Sequence, residues 1–149
     1  VVNGKPGDIY VVNPNGAIGD VTKTHMAWHA KRNGGRDLPS PAVIGNFALV
    51  TAMGGVTTCY DAKSGKTHWI DRLEGSFSGS PLVANGLYYI LSESGVTYVL
   101  RPNGKALEIV SRNDLGGNEG EIFRATLSPI EGRVYIRSQD LVYCVKGEG

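Results

Sequence analysis

The apolar residues of this chain fall into short runs broken by Gly-containing turns, and each run predicts a strand rather than a helix. Phe47-Ala48-Leu49-Val50 is followed by Gly54-Gly55, the run 56–61, the turn Ser64-Gly65-Lys66 and a more polar stretch at 67–73. The same order returns forty residues later. Ser40-Pro41-Ala42-Val43 recurs as Ser80-Pro81-Leu82-Val83, and the turn Gly45-Asn46 as Asn85-Gly86. Leu87-Tyr88-Tyr89-Ile90-Leu91 then leads through Ser94-Gly95 to the run 96–101, the turn Asn103-Gly104-Lys105 and a last stretch at 106–112. The middle runs, 47–53 and 87–91, are continuously apolar, which predicts strands covered on both faces. His68-Trp69-Ile70-Asp71-Arg72 and Glu108-Ile109-Val110-Ser111-Arg112 mix charge with apolar residues, which predicts an outer strand touching solvent.

Four short strands per unit at a period near forty residues predict blades of a β-propeller. A β-sandwich does not account for the recurrence of one four-strand order. Incomplete units stand at both ends. Residues 7–13 and 24–32 match the last two strands of a blade, and 125–128, 133–138 and 141–146 match the first three. The predicted organisation is all-β and covers 1–149: a partial blade at 1–38, blades at 39–78 and 79–124, and a partial blade at 125–149. That is thirteen antiparallel strands, two, four, four and three. A closed propeller needs about four blades of four strands at the least. The chain is therefore expected to be part of a ring of about six to eight blades. The remaining blades come from a longer chain or a second copy, and the uncovered blade faces expose apolar surface.

Composition narrows the partners. Of 149 residues 41% are hydrophobic and 19% charged, so a packed core is affordable and disorder is excluded. The formal net charge is +1 with the two signs scattered, which gives no basis for nucleic acid as a partner. No apolar window approaches the ~20 residues of a membrane span. The chain starts at Val1 with no initiator Met and no signal segment, as expected of a processed or excised piece of a longer protein. Cys59 and Cys144 both lie in apolar runs and are expected to be small buried thiols.

The segment Tyr60-Asp61-Ala62-Lys63-Ser64-Gly65-Lys66-Thr67-His68-Trp69 resembles the repeat of the quinoprotein-like, pyrroloquinoline-quinone-type propellers. There a small residue precedes an apolar residue and Asp, and a Thr/Ser-Gly-Lys turn leads to a docking Trp. Cys59 holds the small place, Ser64-Gly65 the turn, and Trp69 the docking place; Trp28 is its equivalent in the first partial blade. In the third unit Gly104 keeps the turn, but Glu108 stands where Trp is expected. Residues 20–25, 75–81 and 141–145 bring the chain nearest to the C-terminal part of exported quinone-binding-like repeat proteins of planctomycete-type bacteria. The resemblance implies a periplasmic or secreted protein whose natural end lies close to Gly149.

The quinone-dependent dehydrogenases of that group hold pyrroloquinoline quinone with calcium, using a carboxylate base, Glu and Asn ligands, a stacking Trp and commonly adjacent cysteines. This sequence has no adjacent cysteines and no acidic run with calcium-loop spacing. His25 and His29, four apart on a strand, stand about 13 Å from each other, too far to share an ion. Gly54-Gly55 and Gly116-Gly117 precede no helix and read as hairpin turns rather than anion nests. What remains is binding through the connections between blades, 33–39, 74–79 and 113–124. The last is the longest and carries Asn118, Glu121 and Arg124, with Phe123 as an aromatic anchor and Phe77 at the matching place one blade earlier. The sequence favours a non-catalytic scaffold or recognition module, without cofactor, gripping a protein or a carbohydrate through these loops. The alternative is one part of a quinone-dependent alcohol or sugar dehydrogenase.

Overall fold

The computed structural model describes residues 2–3, 7–35 and 38–147. Among them lie fourteen strands in four antiparallel sheets. Blade 1 holds β1 (Val2–Asn3), β2 (Ile9–Val12) and β3 (Met26–Ala30). Blade 2 holds β4 (Ala42–Ile44), β5 (Phe47–Thr51), β6 (Val56–Asp61) and β7 (Thr67–Arg72) in that spatial order. Blade 3 repeats it with β8 (Leu82–Ala84), β9 (Leu87–Leu91), β10 (Val96–Leu100) and β11 (Ile109–Asp114). Blade 4 holds β12 (Ser128–Ile130), β13 (Arg133–Arg137) and β14 (Val142–Lys146). The chain is thus all-β, a run of propeller blades. The short β1 raises the strand number by one over the thirteen expected.

Burial follows the radial arrangement. The middle strands β5, β6, β9 and β10 are buried or nearly so along their whole length, because a neighbouring blade covers each face. The outer strands β7 and β11 are mostly exposed. Three apolar clusters result, one per junction. Ile9 and Trp28 of blade 1 pack on Ala48, Val50 and Tyr60 of blade 2. Leu49, Cys59 and Leu73 of blade 2 pack on Tyr88, Ile90 and Leu100 of blade 3. Leu91 of blade 3 meets Phe123, Leu127 and Ile136 toward blade 4. A buried hydroxyl chain crosses the second junction: Thr51 lies 3.1 Å from Thr57 and 2.9 Å from the Tyr88 hydroxyl. The Ser40 amide donates to the Ser80 hydroxyl at 3.1 Å, so the repeated Ser-Pro pairs meet where adjacent innermost strands begin.

The outer strand of blade 3 is displaced from its expected place at 106–112. In blade 2 the Asp61 amide closes the turn onto the Lys66 carbonyl; in blade 3 the Arg101 amide closes it onto Glu108, two residues farther along. Glu108 is therefore the counterpart of Lys66, not of Trp69. Its carboxylate accepts from Arg101 at 2.9 Å and Asn103 at 3.1 Å within the turn. The residue opposite Val99, as Trp69 is opposite Cys59, is Ser111. The first strand of blade 4 also begins later than the 125–128 expected, because Phe123 and Leu127 are drawn into the junction below it.

Candidate functional site

The second and third connections between blades are each stapled to the hairpin turns on either side. The Phe77 amide donates to the Met53 carbonyl of blade 2 at 2.8 Å, while the Glu93 amide of blade 3 donates to the Ser76 carbonyl at 2.7 Å. One blade later the Phe123 amide donates to Glu93 at 2.9 Å, and the Gln139 amide of blade 4 to Ile122 at 3.0 Å. The two ladders are the same construction, forty-six residues apart (123 − 77). Each sets a Phe ring into the gap between two blades.

That placement corrects the expectation of exposed aromatic anchors. Phe77 is 0% and Phe123 1% exposed. Phe77 packs 6.0 Å from Tyr98 and Phe123 5.6 Å from Tyr143, centroid to centroid. The backbone ladder turns both rings inward, so they are core plugs and offer no surface to a ligand. Glu121 is also withdrawn, at 7% exposure. Its carboxylate accepts from the Ser138 hydroxyl, from the Tyr143 hydroxyl at 2.7 Å and from the Asn118 amide at 2.9 Å. The Ser138 and Tyr143 hydroxyls, then the Asn118 amide, favour the ionised form and hold this carboxyl below its usual range. Glu121 thus ties the connection to blade 4.

Asn118 and Arg124 stay at the surface. The Arg124 guanidinium reaches the Glu93 carboxylate at 3.5 Å, and the same carboxylate accepts from the Ser78 hydroxyl. A shallow groove of about 200 Å³ opens here, lined by Ile122, Arg124, Ala125, Arg137, Ser138 and Gln139. Arg124 and Arg137 are among its lining residues, and Glu121 and Phe123 of the same connection are buried. Sequence reasoning missed Glu93, Ser138 and Tyr143. Only the fold brings those turns beside the 113–124 connection. Arg36 and Asp37 of the first connection lie outside the described residues.

The tryptophans hold the outer edges of two junctions. The Trp28 indole N–H donates to the Ala62 carbonyl of blade 2 at 2.9 Å, and Trp69 to Asn103 of blade 3 at 2.8 Å. Gly65 lies flat against Trp28: with φ at +72°, a Cβ there would sit 2.6 Å from the indole ring. Gly104 instead faces His68 and Phe47. The Cys59 thiol, fully buried, points at the Asn103 carbonyl 3.7 Å away, and burial pushes its pKa up to about 11. Cys144 is exposed, contrary to expectation. It alternates with Tyr143 and Val145, which face blade 3, and so points to the opposite face of β14.

Among the described residues no three His, Cys, Asp or Glu side chains gather into a metal-binding group. His29 pairs with Asp8 at 2.7 Å and stacks on Tyr10; His25 bonds Thr24 at 2.7 Å. The acidic side chains that draw in toward the junctions, Glu121 and Glu93, are taken up by serine hydroxyls and a tyrosine. These residues do not fit a calcium or quinone pocket. No helix among the described residues is long and apolar enough to cross a membrane.

The family profile described as outer membrane protein assembly factor BamB, a model of PQQ-type repeats, matches residues 5–107. The chain belongs to the BamB-type PQQ-repeat family. No protein in the curated set matches it in sequence. BamB from Moraxella catarrhalis superimposes with a TM-score of 0.59 at 16% identity, over 81% of this chain and 36% of that one. A europium-containing methanol dehydrogenase gives 0.54 at 14% identity, over 76% and 22%. The quinohemoprotein alcohol dehydrogenase of Comamonas testosteroni gives 0.54 at 16%, over 69% and 17%. At these identities the likeness is one of fold. This BamB-type chain spans about a third of the BamB structure and about a fifth of each dehydrogenase.

Proposed function

We propose that this chain supplies adjacent blades to a non-catalytic propeller of six to eight blades in an exported, periplasmic or secreted protein. Its rim between blades 3 and 4 grips a polypeptide partner. The observation that carries the reading is the contrast within one connection. Phe123 and Glu121 are locked into the junction, while Asn118 and Arg124 are presented on that base, Arg124 beside Arg137, Ser138 and Gln139 in the groove. A preformed polar edge suits hydrogen bonding to a polypeptide backbone at little ordering cost. The family description, that of an assembly factor, favours a protein over a carbohydrate.

Apolar residues left open on the outer faces support completion of the ring by further blades. Val142 and Ile130 lie on the far face of blade 4, and Tyr10, Val12 and Met26 on the far face of blade 1. Photo-crosslinkers at Asn118 and Arg124 of the complete protein test the partner site, with Lys105 on the opposite rim as the control. Defined protein adducts at 118 and 124 but not at 105 are expected; equal labelling at all three refutes the rim assignment. A quinone absorbance band with alcohol oxidation, on adding quinone and calcium, would instead make the protein a dehydrogenase.

A further inference from the structure

The junction between blades 3 and 4 contains an apolar cleft of about 350 Å³. Strand register identifies what its walls correspond to. Trp28 stands opposite Val11, and Ala30 opposite Ile9, on the face of blade 1 that meets blade 2. In blade 3 Ser111 stands opposite Val99, and Asn113 opposite Thr97. On the receiving side Ala48 pairs with Tyr60 in blade 2, as Val134 pairs with Val145 in blade 4. The shell around Trp28 includes Ile9, Val11, Ala30, Ala48, Val50 and Tyr60. Their counterparts Thr97, Val99, Asn113, Val134, Ile136 and Val145 all line the cleft. The space is thus, in outline, the seat of an indole ring, continued inward along the blade faces. The indole is missing because Ser111 occupies the Trp position.

No Lys or Arg lines the cleft, and Asp114 stands at its edge, so an anion is disfavoured. A largely apolar cleft of this size admits a flat guest.

We propose that the cleft between blades 3 and 4 is a binding site for a small, flat, neutral aromatic molecule of about the size of indole. The guest occupies the place that Trp28 and Trp69 fill at the other two junctions. This site is separate from the rim groove and does not depend on the partner proposed there.

The test uses methyl-labelled complete protein titrated with indole and read by NMR. Saturable shifts centred on Val99, Val134, Ile136 and Val145 are expected, with Val50 unmoved. Ser111→Trp should fill the seat and weaken indole binding ~tenfold or more. Val145→Phe fills it from the other wall and gives the same loss if the first variant does not fold. Indole-3-acetate should bind more weakly than indole. Absence of saturable shifts, full binding in a folded Ser111→Trp or Val145→Phe variant, or equal binding of the carboxylate would overturn the proposal.

Discussion

Replacing Phe77 by Ala separates a core plug from a binding anchor. The ring is fully buried, packs against Tyr98, and belongs to the cluster of Leu73, Val96 and Tyr98 that seals blade 2 to blade 3. Removing a buried Phe ring costs about 3–5 kcal/mol through lost transfer energy and the cavity left behind. The lower end applies if the surroundings collapse. They are restrained here, because the Phe77 amide and the Ser76 carbonyl are both held by neighbouring turns at 2.8 and 2.7 Å. A value of about 4 kcal/mol is therefore expected. Phe77→Leu keeps most of the apolar volume and should cost about half as much or less. Urea denaturation of the complete protein measures both, with hydrogen exchange at residues 73–98 localising the loss to the junction. A cost under ~1 kcal/mol for Phe77→Ala, or loss of partner binding at unchanged stability, would refute the plug assignment and restore a surface role.

Trp69→Phe removes the indole N–H bond to Asn103 but keeps a ring, and should destabilise by about 1 kcal/mol in the same denaturation assay. Gly65→Ala forces a side chain into the Trp28 ring at a positive φ and should cost more than ~1 kcal/mol, with lowered Trp28 burial read by fluorescence quenching. Glu121 has a folded-state pKa below its ordinary value of 4.5, so its contribution to stability is present above that pH. It is lost as pH falls through the lower folded-state value. Glu121→Gln should therefore flatten the fall in stability between neutral and acid pH, measured by urea midpoints across the series. Cys59 should resist alkylation in native protein near neutral pH and react only on unfolding, as mass mapping of iodoacetamide adducts will show. Glu131 holds a positive φ of 48° in the turn where blade 3 has Asn85 at 50°, so Glu131→Asn should stabilise by about 0.5 kcal/mol in thermal melts.

The sequence by itself determined the blade. Continuous apolar runs at 47–50 and 87–91, mixed runs at 67–73, and Gly turns between them state which strands are covered on both faces and which meet water. That information is local, because strand burial is written in hydrophobic periodicity and turns in residues that tolerate positive φ. The recurrence at forty residues then leaves few architectures open. Trp69 could be read as a docking residue from its neighbours alone, since the repeat that contains it is contiguous.

Only the tertiary structure decided the rest, because it depends on residues that are distant in sequence. Phe77 and Phe123 look like rim aromatics until two backbone ladders, each spanning two blades, turn them inward. Glu121 looks solvated until Ser138 and Tyr143 arrive from blade 4. The Trp position of blade 3 looks like Glu108 by counting from the Gly turn, but the strand pairing puts it three residues later, at Ser111, and register is a property of paired strands rather than of spacing along one chain. The cleft at that junction follows from the same shift.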